Sequence, residues 1–120
     1  MTLKAKLHFN NSLPKINEGE IWWCSYDENV GIEINGKGEL FSRPVFIYKK
    51  LSRHGFIGIP LTSQNKSGSW YVRFNFQGKQ QVAVLSQIRT LSISRLSSRM
   101  GKLDKNDTEK INYALKQFLG

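Results

Sequence analysis

Ser69-Trp70-Tyr71-Val72-Arg73-Phe74-Asn75-Phe76, the turn Gln77-Gly78-Lys79 and the run Gln81-Val82-Ala83-Val84-Leu85 together decide the fold. The first part alternates in steps of two, the period of a half-buried strand. The Gln-Gly-Lys segment turns the chain, and the apolar run after it reads as the returning strand. Upstream, Gly55 to Leu61, Arg43 to Lys50 and Glu20 to Tyr26 have the same β-rich character. Pro44 stands near the start of its strand, where a missing N–H is tolerated. Short strands at regular spacing, joined by Gly-, Asn- and Ser-containing turns, predict a small, strongly curved antiparallel sheet or barrel. Downstream the period changes. Ser94 to Met100 reads as one or two helical turns. Asp104 is placed as an N-cap, with Asp107 three residues on. Ile111, Ala114, Leu115, Phe118 and Leu119 then fall on one helix face, a stripe that reads as core packing. The expected fold class is mainly β, a small antiparallel β-barrel with a C-terminal α-helix. Residues 1–18 are expected as an N-terminal arm, loosely held around Asn10-Asn11-Ser12 and Pro14, and residues 19–120 as the domain.

A chain of 120 residues holds one compact core. With 39% hydrophobic and 12% aromatic residues it is a folded protein rather than a disordered one. No apolar run approaches the ~18 residues of a membrane span, and no apolar stretch follows the charged N-terminus. No membrane partner is expected, and the expected location is cytoplasmic. The single cysteine, Cys24, excludes an internal disulfide and a multi-cysteine zinc site, and in the strand-like run Ile21-Trp22-Trp23-Cys24 it reads as a small buried residue. The charge is more telling. The formal net charge is +9, and between Glu39 and Asp104 there is no acidic residue but eleven basic ones, from Arg43 to Lys102. Such a stretch cannot neutralise itself through ion pairs of its own, and its field attracts a polyanion, with nucleic acid first among them.

The segment Asp27 to Arg43, with three glycines and a terminal arginine entering a strand, has the make-up of a loop that carries function. His8 and His54 have no partner at ligand spacing, and Asp27, Glu28 and Glu33 form no ordered acidic cage. Neither a metal nor a cofactor is expected. A Ser-His-Asp device needs a buried Asp that the middle of the chain does not supply. RNA chemistry fits what remains, because RNA brings its own nucleophile in the 2′-OH. The protein has only to orient that hydroxyl, take its proton, stabilise the charged phosphorane and help the 5′-oxygen leave. Arginine suits the third task, since its planar fork binds phosphoryl oxygens bidentately and stays charged.

Five segments in order are similar to the PemK/MazF toxins. Gly19-Glu20-Ile21-Trp22-Trp23 resembles their opening strand. Gly31-Ile32-Glu33-Ile34-Asn35-Gly36 followed by Arg43-Pro44-Val45 resembles their G-x-E-x-x-G…R-P loop, and Pro60-Leu61-Thr62-Ser63-Gln64 their P-x-T-[ST]-Q strand end. Leu85-Ser86-Gln87-Ile88-Arg89-Thr90-Leu91 matches their Q-x-[RK] segment, and Arg95-Leu96 with Gly101-Lys102-Leu103 the approach to the last helix. The resemblance covers residues 19–120. It implies an SH3-like barrel, a homodimer, an acidic antitoxin protein as partner, and metal-independent cleavage of single-stranded RNA to a cyclic phosphate. By motif position it makes Arg43 the transition-state arginine, Thr62 the hydroxyl on the scissile phosphate, and Glu33 the carboxylate for proton transfer. The RNA-binding residues expected with them are Lys37, Ser42, Ser63, Gln64, Lys66, Trp70, Ser86 and Gln87. Ile32, Ser86 and Val84 replace residues that exchange protons in some members, so Glu33 is the carboxylate left in a matching place.

Two other functions fit parts of the pattern. A non-catalytic SH3-like module would stack bases on Trp70, Tyr71 and Phe74 while the basic stretch tracks phosphates. A barrel toxin that poisons a gyrase would share the fold without the R-P and T-S-Q motifs. The charge pattern by itself predicts that the protein binds single-stranded RNA and that log affinity falls with log salt, by roughly 0.7 per phosphate contacted. A filter-binding titration across salt concentrations that gives a flat line removes the electrostatic argument.

Overall fold

The computed structural model describes residues 13–25 and 42–120. Within them the strands are β1 (Glu20–Ser25), β2 (Ser42–Lys50), β3 (Gly55–Thr62), β4 (Tyr71–Phe76), β5 (Lys79–Val84), β6 (Arg89–Ser92) and β7 (Leu96–Lys102), followed by helix α1 (Lys105–Leu119). The antiparallel order is β4-β5-β3-β2-β1-β7, with β6 on β3. β3 is the pivot. Its end, Leu61 and Thr62, pairs with Ala83 and Val82 of β5, and its start, Gly55 to Gly58, pairs with β6. β5 and β6 thus follow one another along one edge of β3, separated by the 3₁₀ turn Leu85–Gln87.

The hairpin that opened the sequence reading forms as expected. Gln77 and Gly78 take φ values of 53° and 79°, the two positive angles that a type I′ turn requires between twisted strands. That turn also brings the two ends of the sheet together. The Gln77 Nε2 donates to the Met100 carbonyl of β7 at 2.8 Å. A Cβ on Gly101 would lie 2.9 Å from both that nitrogen and Phe76 Cζ, so only glycine permits the approach. A curled sheet with its edges in contact is the expected small barrel.

Alternation along β2 separates two cores. Phe46 joins Ile21, Ile59, Leu61, Val72, Phe74 and Phe76, which pack with Leu103, Ile111 and Leu115 at and under the helix. Val45 and Ile47 face the other way, into a cluster with Ile16, Trp22, Cys24, Phe56, Leu91, Ile93 and Leu96. Asp104 caps α1 as expected, its carboxylate accepting the N–H of Asp107 at 2.8 Å.

Three local expectations are corrected. Ser94 to Met100 is not helical: the 3₁₀ turn covers only Ile93–Arg95, and Leu96–Lys102 is strand β7. The reason is non-local. The second edge of β1 needs hydrogen-bond partners, which Leu96, Ser98, Arg99, Gly101 and Lys102 supply, and that demand overrides local propensity. The arm is not loose at its described end, where Ile16 is buried at 1% exposure. In α1 the stripe packs at Ile111 and Leu115, but Phe118 and Leu119 are exposed; Phe118 lies about 10 Å of helix rise beyond Ile111. Tyr26, assigned to the first strand, lies outside the described residues.

One buried carboxylate ties the start of the barrel to its end. Glu20, 4% exposed, accepts the Trp22 indole N–H and the Asn17 backbone N–H, both at 2.9 Å. It also accepts the Arg99 Nε–H at 3.0 Å and the Asn17 side-chain amide at 3.3 Å. Burial alone raises its pKa. The Trp22, Asn17 and Arg99 donors outweigh that and hold it below its ordinary value of 4.5. A depressed carboxylate contributes stability that is present above its unfolded pKa and is lost as pH falls toward the lower folded one. Glu20→Gln should therefore cost about 1–3 kcal/mol at neutral pH and lose less on acidification than the parent does. Denaturant melts of both proteins at several pH values from neutral to below 4 measure this. Parallel stability–pH curves would mean that the carboxylate is not what holds the junction.

Candidate functional site

The start of β2 and the end of β3 meet at one end of the barrel. Ile47, Phe46 and Val45 pair with Gly58, Ile59 and Pro60. Two steps further in that register, beyond the last ladder pair, Arg43 stands level with Thr62. Residues opposite one another in antiparallel strands share a face, so both side chains lie on the face of Val45 and Ile47. On its other side Arg43 pairs with Cys24, and Ser42 with Ser25. Arg43 and Thr62 are half-buried and Ser42 is exposed. Thr62 Oγ1 accepts the N–H of Gln64 at 3.1 Å, which turns the chain at the strand end and leaves Ser63 and Gln64 exposed. A hydroxyl that accepts from the backbone still has its own proton to donate.

The structure thus brings Ser42, Arg43, Thr62, Ser63 and Gln64 to one end. Ser86 and Gln87, both exposed, sit in the turn between β5 and β6, beside the middle of β3, since Ala83 pairs with Leu61 and Arg89 with Gly58. That places them two to three residues, about 7–10 Å, from Thr62 along the strand. Trp70 is 42% exposed. Its carbonyl accepts the Leu85 N–H at 2.8 Å, and its ring stands 5.7 Å from that of Tyr71 at 44°. Lys66 is exposed in the loop between β3 and β4. Glu33 and Lys37 lie outside the described residues. The base-stacking trio breaks up, because Phe74 is buried in the barrel core at 4% exposure, the inward parity of β4 having claimed it.

Two further arginines, which sequence reasoning left without a role, belong to this neighbourhood. Arg95 donates from Nη1 to the carbonyl of Ser25 at 3.2 Å, next to the Cys24–Arg43 pair. Arg89 pairs with Gly58 and so shares the face of Val45. Burial pushes the Cys24 thiol up to about 11, and the fields of Arg95 and then Arg89 act to lower it. Both charges therefore reach the strand position beside Arg43, and the thiol stays protonated and unreactive at neutral pH. In the sequence they were visible only as members of the Q-I-R and R-L motifs. Among the described residues no group of three or more His, Cys, Asp or Glu side chains is placed to hold a metal ion. No described helix is long and apolar enough to cross a membrane.

Solved structures share this architecture. An endoribonuclease from a Mycobacterial species, in complex with its cognate antitoxin, superposes with a TM-score of 0.67 at 18% identity over 88% of this chain and 96% of that one. MazF from Deinococcus radiodurans gives 0.69 at 18% identity, over 88% and 96%. The MazE-MazF structure from the same organism gives 0.70 at 17%, over 89% and 98%. At these identities the likeness is one of fold. No curated protein matches by sequence. The family of PemK-like, MazF-like toxins of type II toxin-antitoxin systems matches residues 17–119, from the Asn17 that binds Glu20 to the end of α1, and the chain belongs to that family.

Proposed function

We propose that this toxin is an endoribonuclease that cuts single-stranded RNA through the RNA's own 2′-OH, without a metal ion. The observation that carries this reading is the placement of Arg43 level with Thr62 on one face, beside further arginines. In the reaction the 2′-oxygen attacks the adjacent phosphorus, the P–O5′ bond breaks, and a 2′,3′-cyclic phosphate and a 5′-hydroxyl result. The Thr62 hydroxyl donates to a non-bridging oxygen and fixes the phosphate. The Arg43 guanidinium meets the charge that builds on the phosphorane. Glu33 takes the 2′-OH proton, and the leaving 5′-oxygen takes one from water to become the 5′-hydroxyl. Ser42, Ser63, Gln64 and Lys66 hold the strand around that linkage, with Lys37, Trp70, Ser86 and Gln87 along its path.

The same positive surface accounts for the partners. A relative of like fold is an endoribonuclease seen with its cognate antitoxin, and an acidic, partly disordered antitoxin suits a chain of net charge +9. Exposed Trp23, Trp70, Tyr113 and Phe118 leave apolar surface to be covered in a homodimer. Light scattering should give the mass of a dimer at micromolar concentration, and co-expression of an acidic neighbouring gene product should restore growth. A monomer at high concentration, or an inhibitor that proves basic, contradicts these assignments.

Catalysis is tested by incubating pure protein with RNA in excess EDTA and mapping the ends of the products. Arg43→Ala should slow cleavage by about 10²–10³ while RNA affinity falls only modestly, because ground-state attraction is spread over ten other basic residues of the stretch. Glu33→Gln should slow it by roughly 10²–10⁴ and remove the acid limb of the pH profile. If Arg43→Ala cuts at the parent rate, the site is misassigned. Intact RNA that stays bound to the parent protein would instead favour a non-catalytic binding module.

A further inference from the structure

We propose that Gln81 reads a nucleobase of the bound RNA and so helps decide where the strand is cut, an inference that rests on the RNA-cutting reading above. The first argument is an unpaired amide. Among the described residues, Glu20 and Gln81 are the buried polar side chains, at 4% and 7% exposure. The Glu20 carboxylate accepts hydrogen bonds from Asn17, Trp22 and Arg99. The Gln81 side-chain amide makes no hydrogen bond with any described residue. It offers two N–H donors and a carbonyl acceptor, and burying such groups unpaired weakens a fold. In a native protein a group of this kind calls for a partner that the free chain does not contain.

Its place is the second argument. Gln81 pairs with Phe74 of β4. On its other side β3 ends at Thr62, the partner of Val82, so Ser63 leaves the ladder next to Gln81. Ser63 is exposed, and so is Ser42 beside Arg43. Along β5, Lys79 and Gln80 are exposed and Gln81 is the first buried residue. The amide thus sits at the rim of the core, at the end of the sheet where Arg43 and Thr62 stand. Paired residues share a face and neighbours alternate. Val82 therefore lies on the face of Thr62, and Gln81 on the inner face with Phe74 and Ala83 of the core. A nucleotide can straddle the strand end at Ser63, its phosphate at Thr62 and its base turned in toward Gln81. Bases of a single strand splay away from the backbone and are read on their edges. An amide pairs bidentately with an edge that presents a donor and an acceptor side by side. Apolar surroundings such as Phe74 sharpen that choice, because a mismatched base leaves polar groups unpaired out of water.

The experiment joins a melt to a cleavage assay on the full-length protein. Gln81→Met keeps the length of the side chain and removes its hydrogen-bonding groups. Its thermal melt should lie at or above that of the parent, because the free protein loses no hydrogen bond. Its base selectivity is the ratio of kcat/KM for two RNAs that differ at one base beside the cut. That ratio should fall roughly tenfold, while the salt slope of RNA binding stays where it was, since no charge is removed. The second measurement uses an RNA whose cut site has been mapped, with each nearby base replaced in turn by an abasic residue. At one position the replacement should slow the parent roughly tenfold, and there it should slow Gln81→Met little further. A variant that melts well below the parent, or does not fold, would mean that the amide serves the fold through a buried water, and the inference falls. It falls equally if selectivity is unchanged, or if no abasic position matters to the parent while cleavage proceeds. A parent protein that neither binds nor cuts RNA overturns the functional reading itself, and this inference with it.

Discussion

The Glu20 carboxylate joins parts of the chain that nothing local would bring together. Its donors come from Asn17 before β1, from Trp22 two residues on, and from Arg99, 79 residues away on β7. Burying a charge is unfavourable unless donors surround it, and here each carboxylate oxygen has two of them. The consequence reaches beyond stability. With Arg99 held at Glu20, β7 pairs with the middle of β1 through Trp22–Arg99 and Trp23–Ser98, and an irregularity after Trp23 then sets Leu96 opposite Cys24. That irregularity leaves Arg95, just before β7, with its Nη1 on the Ser25 carbonyl at 3.2 Å.

The parts of this design that were legible in sequence are those a short window controls. The hairpin around Gln77-Gly78 follows from period-two alternation and a two-residue turn, and the α1 start from an aspartate that caps it. What could not be read is what depends on a distant partner. Leu96 to Lys102 carries no alternation of its own and becomes a strand because β1 has an open edge. Phe74 looks like a stacking aromatic until the inward parity of β4 is known. Arg43 and Thr62 were recognised by motif, but their standing on one face is a matter of register between β2 and β3. Arg89 and Arg95 lay inside quoted motifs with no role attached, because nothing in a linear chain says that a turn before β7 returns to the neighbourhood of β2.

Placing the carboxylates away from the middle of the chain has a physical cost. Eleven cations without an acid between Glu39 and Asp104 repel one another in the folded state, and the repulsion grows as salt is lowered. The core answers by being almost wholly apolar, with Glu20 and Gln81 the buried polar side chains among the described residues. Most of the cations stay at the surface, where solvent screens them. A polyanion that binds the folded protein and not the unfolded chain relieves the repulsion and shifts the equilibrium toward the folded form. On the proposed reading RNA and an acidic antitoxin both do this.

That common dependence explains why arginine, rather than an acid–base pair of carboxylates, suits this barrel. On the proposed reading a carboxylate added beside Arg43 would weaken the field that draws in RNA, whereas a guanidinium strengthens it and supplies directed hydrogen bonds. The same choice fixes the kind of inhibitor that can work. A site whose affinity comes from clustered positive charge is blocked most directly by negative charge laid across it. On the proposed reading the antitoxin and RNA meet at the same charge, and by thermodynamic reciprocity each weakens the binding of the other by the same factor. In the proposed reaction, proton transfer is the step left to a group other than the arginines. On the proposed reading it falls to Glu33, the carboxylate whose motif position adjoins Arg43.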